Sequence, residues 1–396
     1  MIKNILVVSH SDYPANSAIH VHHFANELVE LGLDCVVSVP HSKNSITTIQ
    51  GNLYPVTQYD DLDNLCSLFK NQQPPDIVHC WTPREHVRIY CYKLSLLYNF
   101  KLVIHLEDNE ESIIQRFTKV SIDNWVREND HLIPYNLSHP LRYKDFMASA
   151  DGVTVIIDKL SQFIPNQTPY ITLYPGVDTQ EFYPRGKNQE LIRSFNIPVD
   201  ATILCYTGNV HLANLEEVKC LYLAVGKRNQ EGKPTFLIRT GIDNNLEFLG
   251  KDDQWIKEYV IDLGWVEREK ISEILALADV LVQPGESDDF NDYRFPSKIP
   301  EFLAMGKPVI VPDTNIGKIL THEENAFILP IVNETTLPPI IDLILENQLL
   351  RDKLSKGAWE FALKDLNWGS STEKLLSFYQ TLFLPERQLI SLENAL

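Results

Sequence analysis

Two α/β domains in tandem, each built on a doubly wound parallel sheet, are what this sequence of 396 residues predicts. Three observations carry that expectation. Short β-branched runs alternate with longer segments of helical periodicity, the pattern of parallel strands covered on both faces. The alternation breaks around Pro184–Asp200 and then restarts. A chain of this length exceeds one ordinary core and suits two.

In the first half, strands are expected at Ile5–Ser9, Val36–Val39, Ile77–Cys80, Leu102–Leu106, Val153–Ile157 and Tyr170–Tyr174. A helix from about His20 to Leu31 follows the first strand, because Val21, Phe24, Leu28 and Leu31 share one face and Gly32 is a stop signal. The second half places strands at Ile203–Thr207, Phe236–Thr240, Val260–Leu263, Val280–Gln283, Val309–Val311 and Phe327–Leu329. Ser149-Ala150-Asp151-Gly152-Val153 and Leu277-Ala278-Asp279-Val280-Leu281 share a pattern: a helix ends, an Asp marks the turn, and a buried strand begins. The tail from about Trp368 to Phe383 reads as a helix with Leu375, Leu376, Tyr379 and Leu382 as core positions. The expected domains are 1–183 and 184–374, with a C-terminal helix of about 375–396 packing back on the first. Open sheets take ligands at the carboxyl ends of their strands, so two such sheets facing each other would make a central cleft.

Bulk properties narrow the function. A net charge of −18 argues against nucleic acid, which needs clustered Lys and Arg. Membrane contact is at most peripheral. Arg84, Arg88, Lys93 and Lys101 among Tyr90, Tyr92 and Leu96 form either a headgroup-binding edge or an ordinary solvated one. No stretch approaches the roughly 20 apolar residues of a membrane span, and no signal segment is recognisable at the start. The six scattered cysteines form no C-x-x-C pair and read as reduced thiols, so a cytoplasmic protein is expected. No G-x-G-x-x-G follows a strand, and neither a P-loop nor a G-x-S-x-G elbow occurs. Asp61-Leu62-Asp63 begins a helix-like stretch, where capping is its expected role.

The most informative segment is Arg294-Phe295-Pro296-Ser297-Lys298-Ile299-Pro300-Glu301-Phe302-Leu303-Ala304-Met305-Gly306-Lys307-Pro308-Val309-Ile310. Pro296-Ser297 is a helix-entry signal, and Gly306 closes a short helix before a buried strand. The start of such a helix offers free N–H groups and a positive dipole end, flanked here by Arg294 and Lys298. One turn further in, the Glu301 carboxylate can accept two hydrogen bonds from a vicinal diol. An anion site beside a diol acceptor is what a nucleoside diphosphate requires.

On these residues the sequence resembles glycosyltransferase family 4 and its relatives with the GT-B fold, two Rossmann-like domains around a central cleft. By that resemblance Lys298 and Arg294 hold the diphosphate of a nucleoside diphosphate sugar, UDP or GDP first among the candidates. Ser297 caps it and Glu301 takes the ribose hydroxyls. Two further segments resemble the family. One runs from Ala150-Asp151-Gly152-Val153 to Tyr174-Pro175-Gly176-Val177-Asp178-Thr179-Gln180-Glu181-Phe182. The other is Leu263-Gly264-Trp265-Val266 with the helix after it, which in the family contacts the nucleobase. Trp265 either packs beside the base or belongs to the core. The resemblance implies sugar transfer to a hydroxyl acceptor with retention, no metal and no tightly bound cofactor.

Departures from the family pattern are informative. Where relatives carry a first glutamate, eight positions before Glu301, this chain has Tyr293. The candidate replacements Glu286, Asp288, Asp289 and Asp292 lie in an expected irregular loop after Pro284-Gly285. The family's Arg and Lys after the first strand of the second domain are missing from Thr207-Gly208-Asn209-Val210-His211-Leu212-Ala213-Asn214. Arg239, ending a strand before Gly241, either helps to balance the diphosphate or forms a structural salt bridge. The first loop replaces a Gly-Gly with Tyr13-Pro14-Ala15-Asn16-Ser17. Gly208, Asn209, Arg239, Gly241, Trp265, Val266, Gly285 and Glu286 complete the expected donor side.

The first domain should supply the acceptor side. His105, at a strand's carboxyl end, lines the reaction centre, as a histidine near this place does in relatives, or is a hydrogen-bonded core residue. Glu107 and Asp108 accept from sugar hydroxyls or cap the next helix, with Asn16 and His20 beside them. His22 and His23 cannot both face one metal, so no zinc site is expected. A sugar-nucleotide epimerase of the same build, or a degenerate transferase that binds without turnover, are the alternatives.

Overall fold

The computed structural model describes residues 2–118, 133–211, 214–243 and 247–384. Leu212, Ala213 and the end of the expected C-terminal helix from residue 385 lie outside the described residues. The chain divides into two compact units. The first runs through Pro175 and takes in Tyr293–Phe295 and the chain from Trp368 onward; the second comprises Gly176–Asp292 and Pro296–Asn367.

The first unit is built on seven strands: β1 (Asn4–Val8), β2 (Asp34–Val39), β3 (Val56–Gln58), β4 (Ile77–Trp81), β5 (Lys101–Leu106), β6 (Gly152–Val155) and β7 (Tyr170–Thr172). Their order is β3-β2-β1-β4-β5-β6-β7, with every neighbouring pair parallel. The edge strand β3 was not expected, because Val56-Thr57-Gln58 holds a single apolar residue. The first helix, Asn16–Glu30, starts four residues before the expected position and buries Val21, Phe24 and Leu28. Leu31 lies past its end and is exposed, and Gly32 stops the chain at φ +88°. The tail helix Trp368–Thr381 packs on it: Trp368 meets Phe24 edge-on at 5.1 Å and stacks on His23 at 4.5 Å. Leu375 and Tyr379 are fully buried, whereas Leu376 and Leu382 are only partly so. Phe378 also explains Gly152, where an added Cβ would lie 2.7 Å from its ring.

The second unit contains β8 (Thr202–Thr207), β9 (Thr235–Thr240), β10 (Val260–Asp262), β11 (Val280–Val282), β12 (Gly285–Glu286), β13 (Val309–Pro312), β14 (Phe327–Leu329) and β15 (Ile331–Val332). Its parallel sheet runs β10-β9-β8-β11-β13-β14. The expected irregular loop after Pro284 instead begins with β12, paired antiparallel with β15.

The aspartate pattern seen in the sequence has one physical cause in both units. Asp151 N donates to Leu102 O at 2.8 Å, and the Asp151 carboxylate accepts from Leu102 N at 2.8 Å and from Lys101 Nζ at 2.7 Å. Asp279 repeats this on Ile203 N at 2.9 Å and Lys187 Nζ at 2.5 Å. Each carboxylate clamps the amino end of a strand to its neighbour, which sets the register there.

Other expectations change. Asp61 makes no backbone cap; it bonds Lys43 Nζ at 3.1 Å and Asn64 Nδ2 at 2.9 Å. The basic edge near residue 84 is largely tied to carboxylates, with Arg84 3.7 Å from Glu110, Arg88 2.8 Å from Glu85 and Lys101 on Asp151. Tyr90 is buried and stacked on Tyr59. Among the described residues no helix is long and apolar enough to cross a membrane.

Candidate functional site

In a parallel sheet the chain leaves each strand at the carboxyl edge, so polar residues just past the strand ends converge there. In the first unit β1, β4 and β5 are adjacent at the reversal of strand order. Glu107, one residue beyond β5, is buried there. It accepts from Ser17 Oγ, from Trp81 Nε1 at 2.9 Å and pairs with His20 Nδ1 at 2.9 Å. Burial opposes its charge, but the His20 hydrogen bond and the nearby imidazoles outweigh it and hold the acid well below the usual carboxylate range.

His105 lies between Trp81 and Thr154 in the register of three strands. Its Nδ1 meets Thr154 Oγ1 at 2.7 Å and its ring packs 4.2 Å from Trp81. Burial pushes its pKa down to about 3, so it is neutral. Of the two readings left open, the hydrogen-bonded core histidine is the one this geometry forms. Asp108 is half-buried. Burial, Glu110 and Glu107 raise its pKa to about 7 against the pull of Arg84 and Arg294, so the Arg294 charge reaches this carboxyl. Asn16 is exposed as the first residue of its helix. His22 and His23, beside His20 on the first helix, point elsewhere, His22 to Tyr54 Oη at 2.8 Å and His23 to Trp368.

The same edge holds residues that the sequence reading missed. Thr82, just past β4, is fully buried at φ +66°, a rare conformation for a β-branched residue. His10 Nδ1, Ser11 Oγ, Thr82 Oγ1, Arg84 Nε and Glu110 Oε1 are buried with no hydrogen-bond partner among the described residues. The signal for them was their place after expected strands.

The second unit dresses its carboxyl edge with glycine. Gly208 after β8, Gly241 after β9, Gly264 after β10 and Gly285 after β11 have φ of +125°, +102°, +59° and +132°. Three of them interlock. Gly241 N–H donates to Gly264 O at 2.6 Å, and a Cβ on Gly241 would lie 2.4 Å from the Gly208 carbonyl. Asn209, exposed, accepts from Ile242 N at 2.8 Å and so fastens this loop pair.

Lys298 lies over Gly208. Its Cε would meet a Cβ there at 3.1 Å, and its Nζ donates to Tyr206 Oη at 3.3 Å and sits 4.6 Å from that ring. Lys298 itself takes the cap position of the six-residue helix Ile299–Ala304. Ser297 stands one residue outside the cap, and Pro300 sits in the first turn, where its missing N–H costs nothing. Glu301 is largely buried, and its Oε1 accepts from Arg268 Nη1 at 3.1 Å. Burial raises its pKa, and Arg268 works against that rise. Arg268 was also missed, since it stands in a charged run that reads as a solvated face.

Three donor-side expectations are resolved by the surroundings. Trp265 is 71% exposed, so it is not a core residue, and Val266 beside it is half-buried. Arg239 is 1% exposed and pairs with Asp262 and, at 3.4 Å, with Asp243; the structural salt bridge is what forms. Glu286 is exposed with its backbone in β12, while Asp288 and Asp292 hold loop residues such as Phe290 N and Ser287 Oγ.

Residues 201–347, which include all six strands of this unit's parallel sheet, match the family model described as Glycosyl transferases group 1. Anabaena HepE in complex with UDP is similar over 96% of this chain and 100% of its own, at 14% identity and a TM-score of 0.70. Sucrose-phosphate synthase of Thermosynechococcus elongatus is similar over 96% of this chain and 99% of its own, at 16% identity and a TM-score of 0.70. A glycosyltransferase of Rickettsia africae is similar over 96% and 98%, at 14% identity and 0.69. At such identities the likeness is one of fold, and the chain has the GT-B glycosyltransferase fold that its sequence predicts. No curated protein matches the chain significantly in sequence. Lys298 and Glu301 lie on the segment whose residues first suggested the resemblance, and the glycine row falls within the same matched residues.

Proposed function

We propose that the chain moves a sugar from a nucleoside diphosphate sugar to a hydroxyl acceptor. The observation that carries this reading is Lys298 laid across the left-handed Gly208 at a strand end, with the Glu301 carboxylate one helical turn away. A glycine edge lets a diphosphate approach the backbone, a lysine balances its charge, and a buried carboxylate accepts a ribose diol. The likeness to HepE, described in complexes with UDP and with UDP-glucose, makes UDP the first donor nucleotide to test.

Charge on the leaving diphosphate grows in the transition state, and Lys298, with Arg294 as the proposed second cation, would stabilise it there. The proposed course is retention without metal, by front-side attack guided by the departing phosphate. It requires no carboxylate nucleophile of the kind that retaining glycosidases use. Glu107, Asp108, His20 and Asn16 remain the proposed acceptor side, and the buried polar atoms around Thr82 and Arg84 that lack a hydrogen bond among the described residues favour a polyhydroxyl acceptor there.

Thermal melting with UDP, GDP, ADP, dTDP and CMP tests the donor class. A nucleotide at 100 times its Kd adds roughly 2.7 kcal/mol, a shift of a few degrees. Lys298→Ala and Glu301→Ala should each lower kcat/KM at least about tenfold, some 1.4 kcal/mol. Unchanged kinetics in both would overturn the site. One observation favours a second reading, binding without turnover. Tyr293 replaces the family's first glutamate, its Oη accepting from Gln162 Nε2 at 2.6 Å and its ring 5.6 Å from Phe163. Nucleotide binding with no transfer to any acceptor would support it.

A further inference from the structure

The Glu301 carboxylate shares its surroundings with a second carboxylate and one guanidinium. Arg268 Nη1 donates to Glu301 Oε1 at 3.1 Å, and Arg268 Nε lies 3.4 Å from Glu181 Oε2. The guanidinium carbon sits 5.4 Å from the ring centre of Phe182, which is fully buried. Arg268 opens the helix Arg268–Ala276, shortly after the left-handed Gly264. One side chain therefore links the turn proposed for the base to the carboxylate proposed for the ribose.

A vicinal diol needs a charged carboxylate held in a fixed plane, because both hydroxyls donate. The Glu301 side chain is only 16% exposed. Burial favours its neutral form, Glu181 pushes the same way, and Arg268 and Lys298 oppose them. A neutral acid would donate a proton where acceptance is required. A guanidinium bonded to Oε1 fixes the carboxylate plane and leaves Oε2 and the remaining lone pairs for the ligand. Arg268 is held in turn by Glu181 and rests on Phe182, so its own position is set by groups outside the ligand.

We propose that Arg268 is a positioning residue of the ribose site: from its seat on Glu181 and Phe182 it holds the Glu301 carboxylate in the orientation and charge state that accept the two ribose hydroxyls. The proposal rests on the donor reading of Glu301 given above.

The test is a set of calorimetric affinities for UDP and 2′,3′-dideoxy-UDP between pH 5 and 8, with GDP and its dideoxy analogue in parallel. The proteins are wild type, Arg268→Gln, Arg268→Lys, Glu301→Gln and the double variant Arg268→Gln/Glu301→Gln, each checked for an unchanged melting profile without ligand. Arg268→Gln should weaken UDP about tenfold and leave dideoxy-UDP within twofold of wild type. Arg268→Lys should recover much of that loss, and the double variant should lose no more than Glu301→Gln alone. Removing Arg268 also removes its downward pull on the acid. The decline of UDP affinity in acid should therefore begin at a higher pH in Arg268→Gln than in wild type. Equal losses on both nucleotides, or no loss, would overturn the role of Arg268 while Glu301→Gln still reports on the ribose site. Failure of wild type to bind either nucleotide, or to distinguish it from its dideoxy analogue, would overturn the donor reading as well.

Discussion

Apart from the extra edge strand β7, the two sheets share a strand order and a reversal point, yet their carboxyl edges are made of different material. Past β1, β4 and β5 the first unit places side chains, with Glu107 knitted to Ser17, His20 and Trp81. Past β8, β9, β10 and β11 the second unit places glycines at positive φ, with Lys298 and Glu301 brought in from a helix. Topology thus chooses where ligands meet the sheet, and the residues just past each strand choose what they meet. A buried side-chain network offers fixed donors and acceptors suited to hydroxyls. A glycine ridge offers close approach to backbone, suited to a bulky anion.

The contrast can be broken most severely at Gly241. A Cβ there lies 2.4 Å from the Gly208 backbone at φ +102°, so Gly241→Ala should cost at least about 3 kcal/mol in chemical denaturation. Gly264→Ala is the control, because nothing lies within 4 Å of its added Cβ. Only the left-handed backbone cost of roughly 1–2 kcal/mol should appear. Similar losses in both would show that the interlocked ridge is not what matters.

In the first unit, Glu107→Gln leaves three donors facing a neutral amide and should lose about 1.5–3 kcal/mol at pH 7. The sign with pH follows from the acid's depressed folded pKa. Its contribution is present above the unfolded value of 4.5 and is lost as pH falls through the folded one. Urea titrations at pH 7 and pH 3 should therefore show the gap between wild type and variant closing in acid.

The smallest effect belongs to Asp108, where the sign reverses. Its pKa rises from 3.8 to about 7 on folding, so the native state binds the extra proton in that window and loses stability as pH rises through it. Asp108→Asn should be more stable than wild type by about 1 kcal/mol at pH 8, a value reduced for partial exposure, and nearly equal at pH 5. A gap that widened toward pH 5 would contradict the assignment.

Much of the fold was legible because strand signals are local. Every expected strand overlaps an observed one, whereas β3, β12 and β15 lack the apolar run that would announce them. Pro296-Ser297 announced the helix entry locally, and the helix begins two residues on at Ile299, with Lys298 at its cap position. For Arg239 and His105 the sequence left two readings open, and residues on neighbouring strands decided both. Asp262 claims the arginine and Thr154 the histidine. Arg268 was invisible, since Glu267-Arg268-Glu269-Lys270 looks like any solvated run until Glu301, 33 positions later, is brought beside it.

By itself the sequence determined two parallel sheets, their strand positions, and the short helix carrying Lys298 and Glu301. Those follow from β-branched runs, helical periodicity and breakers a few residues apart. Only the tertiary structure decided which polar groups neutralise one another and which remain for a ligand. A charge is committed or available according to what lies within about 4 Å of it, and those neighbours come from strands and helices far away in the chain.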